Sequence, residues 1–387
     1  MIVRGRHYQF GDVLDFDCED GWIRSITPAA EGTPALGGGD VWIVPGLIDL
    51  QVNGFAGSDF CSETITPAEV ECVSTALAQA GVTAYLPTVI TNSAGAIEAS
   101  MRAIAAACEQ GGAARERILG IHLEGPYISP VDGPRGTHPL EHVRPANWQE
   151  FCRWQDAAGG RIRLVTLAPE IPGALRFISQ AREAGVVVSL GHHTATREQI
   201  DAAVTAGASL CTHLGNGSHA QLPRHPNYIW EQLANDALHA SIIVDGHHLP
   251  PSVVKAFYRA KGADRLILVS DVVWLAGMPA GRYQFAGQEV DLSGDGSVRL
   301  AGTAYLAGSV LHLVEAVGNI MTFAGAPLAE AVRMSATNPA DLVGALDRGR
   351  LQVGCRADLL VLRGRSDGGV ALVATIAGGK VVYQHEQ

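Results

Sequence analysis

Four short polar motifs stand directly after apolar runs in this chain. They are His122-Leu-Glu-Gly-Pro126, Gly191-His-His193, Thr212-His-Leu-Gly-Asn216 and Ser270-Asp271. Together they supply one glutamate, one aspartate and several histidines. A carboxylate and two imidazoles can bind a divalent ion, and a further carboxylate can move the proton that hydrolysis requires. The residue types and their positions therefore predict the chemistry of a metal-dependent hydrolase.

The predicted metal ligands are Glu124, His192 and His213. Each of them alone is as well explained by a solvated carboxylate or a hydrogen-bonded structural histidine. Three ligand types at the same end of neighbouring strands would, however, converge on one point. His193 directly follows His192 and is a competing ligand candidate. Asp271 is the predicted general base, which would accept a proton from the attacking water and then deliver it to the leaving amine.

The first strand of the same series ends in Gln51-Val52-Asn53. A His-x-His pair at that place would provide ligands for a second ion. Amide side chains are poor zinc ligands beside imidazole. We therefore expect one divalent ion per subunit: zinc, with ferrous iron or cobalt(II) as the alternatives that the same ligands would accept.

The middle of the chain alternates between apolar runs and amphipathic stretches, which is typical of a (β/α)8 barrel. The alternative is an open doubly wound sheet, but no Gly-x-Gly-x-x-Gly follows the first strand. A barrel would bring the four motifs together, because its chemistry lies at the C-terminal ends of the strands. The predicted strands are 42–52, 83–89, 118–124, 162–168, 186–192, 209–214, 239–246 and 266–271. The predicted helices include 67–81, 94–110, 147–158, 174–185, 196–207 and 251–262.

Both ends of the chain contain short strand-like runs separated by glycine and aspartate. We predict that residues 1–45 and 345–387 form one small β domain, and that residues 46–344 form the barrel. A β-hairpin near 280–303 would be inserted after the eighth strand. The fold class is thus α/β: a (β/α)8 barrel with a small β domain formed from both termini.

The composition limits the functional classes. The chain has 387 residues, of which 47% are hydrophobic and 17% charged, so a large core is expected. A formal net charge of -11 argues against a nucleic-acid partner. The seven cysteines are scattered without a Cys-x-x-Cys pair, which favours reduced thiols in the cytoplasm. The sequence shows neither a secretory leader nor an apolar run of about 18 residues, so we expect no contact with a membrane.

In their order along the chain, these motifs resemble the amidohydrolase superfamily and, within it, the N-acetylglucosamine-6-phosphate deacetylase family. The resemblance runs nearly end to end. It implies a deformed (β/α)8 TIM barrel with a small β-sandwich domain formed from both termini. It also implies a homodimer that removes the acetyl group from an N-acetyl amino sugar 6-phosphate, giving acetate and the amino sugar phosphate. The matching elements are Val44-Pro-Gly-Leu-Ile-Asp49, His122–Pro126, Gly191-His192, Thr212-His-Leu214, Asn216, Asp245-Gly-x-His248, Ser270-Asp271, Leu306-Ala-Gly-Ser309, Thr337-Asn-Pro339 and Ala357-Asp-Leu-Leu360.

The resemblance also implies roles for individual residues. His138 would polarise the acetyl carbonyl. The backbone near Leu306 would line the acetyl pocket. Arg224 would reach a phosphate in the partner subunit's site, since a guanidinium fork pairs with phosphate oxygens. The remaining residues expected to bind the sugar or its phosphate are Asn216, Gly217, His248, Arg135 and Gln51.

Several loops depart from the family pattern. The segments concerned are 129–138, 215–230 and Val272-Val-Trp274. They are the loops expected to hold the sugar and its phosphate, whereas the predicted metal and proton-transfer residues are intact. The sequence therefore defines the reaction class but leaves the substrate open. The alternatives are deacylation of a different N-acyl compound, such as a non-phosphorylated or different amino sugar, and a catalytically silent relative.

Overall fold

The computed structural model of the protein describes residues 1–32, 34–285 and 288–385. The first strands are β1 (Ile2–His7), β2 (Val13–Glu19), β3 (Trp22–Pro28), β4 (Leu36–Pro45), β5 (Leu47–Val52), β6 (Gly54–Phe55), β7 (Ser58–Asp59), β8 (Val82–Ile90), β9 (Ile121–Glu124), β10 (Ile162–Leu167) and β11 (Val187–Leu190). They are followed by β12 (Leu210–Cys211), β13 (His239–Ile242), β14 (Leu266–Leu268), β15 (Gly281–Phe285), β16 (Gln288–Leu292), β17 (Ser297–Leu300), β18 (Leu306–Ser309), β19 (Leu359–Gly364), β20 (Val370–Ala377) and β21 (Lys380–Gln384).

Most of the α-helices alternate along the chain with the strands of its middle segment. They are α1 (Pro67–Gln79), α2 (Ala94–Gln110), α3 (Gly112–Arg117), α4 (Trp148–Ala157), α5 (Ala174–Glu183), α6 (Arg197–Ala206), α7 (Tyr228–Ala234), α8 (Pro251–Lys261), α9 (Leu313–Ala324), α10 (Leu328–Val332) and α11 (Asn338–Leu342). A 3-10 turn covers Leu140–His142, and a π-helical turn over Arg333–Thr337 joins the last two helices. None of the helices in the described part of the chain combines the length and the apolar character that crossing a membrane needs.

Eight parallel strands form the central sheet in the order β14-β13-β12-β11-β10-β9-β8-β5. The gap between its two outer strands is almost closed. Val52 makes a parallel bridge to Val272, and Ser270 donates from its N–H to Asp49 and from its hydroxyl to the carbonyl of Gln51. The predicted barrel is therefore confirmed, and the doubly wound alternative was wrong because the first and eighth strands meet.

The predicted strand 42–52 was wrong in its bounds, because the chain changes sheets within it. β4 ends at Pro45 in the terminal sheet, and β5 begins at Leu47 in the barrel. Gly46 lies between them, where an added Cβ would come within 2.0 Å of the Thr83 hydroxyl oxygen. The last barrel strand also ends early, at Leu268 rather than residue 271, because the backbone turns before Asp271 reaches the cavity.

Local sequence signals explain where two helices begin near the barrel top. α6 starts after Thr196, which caps it together with Gln199 in the reciprocal hydrogen bonds of a capping box, close to the start of the predicted helix 196–207. α7 was missed, since residues 221–230 were interpreted as a loop. Asn227 caps this helix by accepting from the backbone of Ile229 and Trp230, and the short helix fixes one wall beside the site.

Strands from both ends of the chain form one seven-stranded sheet in the order β21-β20-β19-β4-β1-β2-β3. The buried Asp358, which precedes β19, accepts from Arg348 and Arg356. The same arginines reach Glu116 in α3 of the barrel, Arg348 at its backbone carbonyl and Arg356 at its carboxylate. The small β domain expected from both termini is thus present. The division of the chain at residues 45 and 345 stays a prediction, and residues 386–387 of that segment lie outside the described residues.

A four-stranded antiparallel sheet, β15-β16-β17-β18, is inserted after the eighth barrel strand. Its first three strands occupy the region 280–303 where the sequence predicted a hairpin, of which residues 286–287 lie outside the described part. The sheet contacts the barrel loops through the Gln288 amide, which donates to the carbonyl of Thr137, and through His247, which bonds the carbonyl of Asp295. It therefore covers one side of the barrel's C-terminal end.

Candidate active site

A cavity of about 400 Å³ lies at the C-terminal end of the barrel strands. It contains the residues that the sequence placed there on chemical grounds and several that came from the family resemblance. Its lining includes Glu124, His138, His192, His213, Asn216, Gly217, His248, Asp271 and Leu306. Loops after many different strands thus converge, as the barrel geometry requires.

Three residues of this cavity have backbone conformations that are rare outside glycine. The φ angles are 52° for His192, 29° for His213 and 52° for Asp271. In the described part of the chain, only Asp20 and Ala56 are further non-glycine residues with positive φ. Such conformations cost about 1–3 kcal/mol each and accumulate where function requires a particular side-chain direction. Each of the three lies just beyond a barrel strand, and the left-handed turn directs its side chain into the cavity.

The side chains of Glu124, His192 and His213 form a compact buried triangle. Glu124 Oε1 lies 3.2 Å from His192 Nε2 and 3.0 Å from His213 Nε2, and the two Nε2 atoms are 3.1 Å apart. In a tetrahedral site with bonds of 2.0–2.1 Å, neighbouring ligand atoms lie about 3.3 Å apart. The triangle therefore has the dimensions that a small divalent cation needs.

Hydrogen bonding supports a cation at this place. His192 Nδ1 must donate to the carbonyl of Pro134, 2.8 Å away, because a carbonyl can only accept. This hydrogen bond fixes the ring so that its Nε2 faces the carboxylate of Glu124 and the Nε2 of His213, as a metal-binding nitrogen does. A cation at the centre of the triangle would attract all three atoms. The donor set of two imidazoles and one carboxylate suits zinc and its neighbours among the transition metals.

Gln51 holds the glutamate of this triangle from behind. Its amide nitrogen lies 3.1 Å from each carboxylate oxygen of Glu124. Burial would raise the pKa of Glu124, but the hydrogen bonds and charges of His192 and His213 outweigh it and hold this pKa well below its usual value. The carboxylate is thus kept ionised and oriented, which is the usual effect of groups that contact a metal ligand from outside.

Asp271 stands beside the triangle and is oriented by Asn53, whose amide donates to Asp271 Oδ1 at 2.7 Å. Burial and the charge of Glu124 raise the pKa of Asp271 to about 6. A carboxyl group with a pKa near neutrality can both take up and release a proton in the physiological range. The geometry is therefore compatible with the proton transfer that the sequence predicted.

His138 faces His192 edge-on, with ring centres 4.4 Å apart. Its Nδ1 lies 2.7 Å from the hydroxyl oxygen of Thr91. Burial, together with the nearby charge of His192, lowers the pKa of His138 to about 3, so the ring is neutral at physiological pH. With Thr91 donating to Nδ1, the neutral ring carries its proton on Nε2 and can donate to a ligand.

His248 and the glycine-containing loop 215–217 complete the polar wall. Asp245 binds the His248 ring, with Oδ2 2.6 Å from Nδ1. Gly217 has φ 54°, and a Cβ there would lie 2.7 Å from His192 Nδ1. Gly136 approaches the same ring from its own loop, where a Cβ would lie 3.4 Å from His192 Cε1. Two glycines thus let the backbone pack against a predicted metal ligand.

Three predicted substrate-binding residues do not line the cavity. Gln51 lies behind Glu124. Arg135 turns away, binds the carbonyl of His138 and pairs with Asp132. Arg224 is exposed in the loop before α7. Their roles toward substrate stay predictions.

Two histidines of the sequence motifs lie outside the metal triangle. His193 is buried, and its Nδ1 accepts from the backbone N–H of Ala195 at 3.2 Å. His122 lies inside the barrel, with Nε2 2.7 Å from the hydroxyl of Thr166, and burial lowers its pKa to about 4. Both are thus held by protein groups, and neither belongs to the ligand cluster formed by the described residues.

Sequence reasoning missed several groups that act in the cavity. Asn53 was considered only as a poor metal ligand, whereas it contacts Asp271. Thr91 directly follows β8, so the strand-end pattern used for the other motifs could have found it. His219, Phe285 and Tyr305 also line the cavity, but they come from loops and from the inserted sheet, where no motif marks them.

The chain is similar to known proteins along most of its length. Residues 42–382 match the family model described as Amidohydrolase family. The chain is 32% identical over 347 residues to N-acetylglucosamine-6-phosphate deacetylase of Bacillus subtilis, covering 89% of this chain and 85% of that protein. It is 35% identical over 321 residues to N-acetylgalactosamine-6-phosphate deacetylase of Escherichia coli O157:H7, covering 83% of each.

The chain is also similar to solved structures. A mutant of N-acetyl-D-glucosamine-6-phosphate deacetylase from Mycobacterium smegmatis, in complex with N-acetyl-D-glucosamine-6-phosphate, superposes with a TM-score of 0.87 at 28% identity over 99% of both chains. The match over most of the chain shows that it belongs to the amidohydrolase family. Within that family it belongs to the N-acetylglucosamine-6-phosphate deacetylases, because the identity exceeds 30% across most of the length of both chains.

Proposed function

We propose that this protein hydrolyses the acetamide of an N-acetyl amino sugar 6-phosphate, with N-acetylglucosamine 6-phosphate as the first candidate. The products would be acetate and the amino sugar phosphate. One observation carries the proposal: the buried triangle of Glu124, His192 and His213 shares a cavity with Asp271 and His138. The named activities of the relatives support the choice of substrate.

Glu124, His192 and His213 would hold one divalent ion, for which zinc is the first candidate and ferrous iron or cobalt(II) the alternatives. A divalent ion in such a site polarises a carbonyl and makes water a better nucleophile near neutral pH. The protein contributes the orientation of the three ligands. Gln51 restrains Glu124, and the carbonyl of Pro134 restrains His192.

Asp271 would accept a proton from the attacking water and deliver it to the amide nitrogen as the C–N bond breaks. Asn53 keeps the carboxylate in place during both transfers. His138 would donate Nε2–H to the acetyl carbonyl oxygen, where negative charge develops. The backbone near Leu306 and the apolar side chains beside it would receive the methyl group of the acetyl.

Asn216, Gly217 and His248 would bind the sugar and its phosphate, with His248 oriented by Asp245. We also propose a homodimer in which the exposed Arg224 reaches the cavity of the partner subunit. The seven cysteines are all free thiols, which is compatible with a cytoplasmic location.

One observation favours a second candidate function. No lysine or arginine stands among the described residues that line the cavity, although phosphate sites commonly contain one. Hydrolysis of an N-acyl compound without a phosphate, such as a non-phosphorylated amino sugar, is therefore the alternative. The two candidates share the same reacting groups and differ only in the group bound at the far wall.

The experiment is to measure acetate release by the zinc-loaded protein from N-acetylglucosamine 6-phosphate, N-acetylgalactosamine 6-phosphate and both unphosphorylated sugars. We expect turnover of the phosphorylated sugars and a loss of about 10²- to 10⁴-fold in kcat for Asp271→Asn with unchanged metal content. Asp264→Asn, an exposed aspartate that pairs with Arg333, is the matched control. Preference for the unphosphorylated sugars would favour the second candidate, and no turnover of any of them would favour a silent relative.

A further inference from the structure

His219 lines the cavity but has no role in the mechanism above. The wall that contains it is formed by residues 215–220, with the sequence Gly-Asn-Gly-Ser-His-Ala. This wall contains no carboxylate. At the reacting end, the carboxylates of Glu124 and Asp271 would repel a phosphoryl dianion. This repulsion favours an anionic group of the substrate at a wall without a carboxylate, and residues 215–220 form one such wall.

Tyr228 fixes the orientation of the His219 ring. The Tyr228 hydroxyl accepts the backbone N–H of His219 at 2.9 Å and lies 3.0 Å from His219 Nδ1. Because its oxygen already accepts the backbone N–H, the hydroxyl can direct its own proton to Nδ1. A neutral imidazole that accepts at Nδ1 carries its hydrogen on Nε2. His219 then presents an N–H donor, which is the group an anion needs.

Tyr228 is itself held firmly. It is the first residue of α7 after the capping Asn227, and only 6% of its surface is exposed. The His193 ring packs against it at 60° with centres 5.1 Å apart. His193 is in turn bound by the N–H of Ala195. The second histidine of the Gly191-His192-His193 motif therefore supports Tyr228 from behind.

The loop carrying His219 is also positioned by close backbone packing. A Cβ added at Gly133, which has φ 90°, would lie 3.2 Å from both the Cα of His219 and the carbonyl oxygen of Ser218. Gly217 packs more closely still against the ring of His192, where a Cβ would lie 2.7 Å from Nδ1. His219 is thus set between the metal triangle and the segment 129–138, both by its backbone and by its ring.

We propose that His219 is a specificity-determining residue, which donates its Nε2–H to the phosphoryl group of the substrate, and that Tyr228 is its positioning residue. This inference rests on the proposed function and adds His219 to the residues that would bind the phosphate there. A hydrogen bond to a charged oxygen is stronger than one between neutral groups. Its loss corresponds to about a 10- to 100-fold weaker interaction.

The test compares holoenzyme variants on N-acetylglucosamine 6-phosphate and on N-acetylglucosamine. For His219→Ala we expect kcat/KM for the phosphorylated sugar to fall about 10- to 100-fold, mainly through KM. The value for the unphosphorylated sugar should change less than about threefold, since that substrate lacks the acceptor. Tyr228→Phe should act in the same direction more weakly, and His219→Gln, which keeps an N–H donor, should recover part of the loss.

The matched control is Tyr258→Phe, which removes a tyrosine hydroxyl that donates to Glu330 on the outer face of the barrel. It should leave the ratio of the two kcat/KM values unchanged. Equal losses on both substrates in His219→Ala and His219→Gln would overturn the inference, as would an unchanged KM for the phosphorylated sugar.

A direct binding measurement separates this inference from the proposed function. Calorimetry with glucosamine 6-phosphate and with glucosamine needs no turnover. If the wild-type protein hydrolyses neither sugar, the proposed function fails. The inference then still stands if His219→Ala weakens glucosamine 6-phosphate alone by about tenfold or more. It fails if the affinity for glucosamine 6-phosphate stays the same.

Discussion

Asp49 joins the first and eighth strands of the barrel from an almost fully buried position, with 1% of its surface exposed. Its Oδ1 accepts from the backbone N–H groups of Gln51 at 3.1 Å and Ser270 at 3.3 Å. Its Oδ2 has no hydrogen-bond partner among the described residues. Burial is the largest influence and raises the pKa of Asp49 from 3.8 to about 7, although these hydrogen bonds oppose the change.

The raised pKa makes the stability of the protein depend on pH. The unfolded chain releases this proton near pH 3.8 and the folded chain near pH 7, so the folded state binds more protons between these values. The contribution is fully present below about pH 4 and is lost as the pH rises through about 7. At about 1.4 kcal/mol per pH unit, the whole interval corresponds to about 4 kcal/mol, of which about 2–3 kcal/mol falls between pH 5 and pH 8.

The perturbation is Asp49→Asn, which is neutral at every pH and keeps one acceptor oxygen. Urea unfolding of both proteins at pH 5 and pH 8 gives the difference in free energy of unfolding at each pH. Every other ionisable group is common to the two proteins, so its contribution cancels in the comparison. We expect the free energy of unfolding of the variant, relative to that of the wild type, to rise by about 2–3 kcal/mol from pH 5 to pH 8.

The matched control is Asp264→Asn at an exposed ion pair, for which the difference from the wild type should not vary with pH. A gain below about 1 kcal/mol for Asp49→Asn would refute the reasoning. In that case groups other than the N–H groups of Gln51 and Ser270 would stabilise the Asp49 carboxylate in the folded barrel.

Two further predictions concern the support of the site and of the terminal sheet. Gln51→Met removes both donors to Glu124 and should weaken metal binding about 10- to 100-fold in a chelator competition assay. The control is Gln155→Met: the Gln155 amide bonds the backbone of Ile162 in β10, so this variant should bind the metal as the wild type does. Equal metal affinities of the two variants would contradict the role given to Gln51. Asp358→Ala leaves two arginines without their buried partner and should lower the free energy of unfolding by about 3–5 kcal/mol. Asp40→Ala removes an exposed ion pair with Arg363 and should lower the free energy of unfolding by less than about 1 kcal/mol. A similar decrease for both variants in urea unfolding would argue against a stabilising role of the buried carboxylate of Asp358.

The polar motifs were informative because of their position relative to apolar runs. A residue at the end of a barrel strand, or just beyond it, lies at the C-terminal end of the sheet whatever its neighbours are. This rule alone predicted that Glu124, His192, His213 and Asp271 would share one cavity, and the structure brings all four together. The same rule would have found Thr91 after β8.

Other features depended on contacts that no local pattern reveals. Gln51 lies in β5 and Asn53 directly follows this strand, yet one restrains Glu124 and the other restrains Asp271. Arg135 stands close to His138 in sequence, but its guanidinium turns to a backbone carbonyl and to Asp132 instead of the cavity. Which way such side chains point is decided by the partners that the fold brings to them.

The sequence by itself determined the barrel, through its alternating periodicity, and the type of reaction, through residue types at strand ends. Only the tertiary structure decided which polar groups face the cavity and which act from behind. The positive φ angles of His192, His213 and Asp271, and the close approach of Gly136 and Gly217 to one imidazole, arise from packing between distant segments. His219 and Tyr228 are set by the same packing. The free energy that holds such conformations comes from the whole fold, so a local sequence pattern does not encode them.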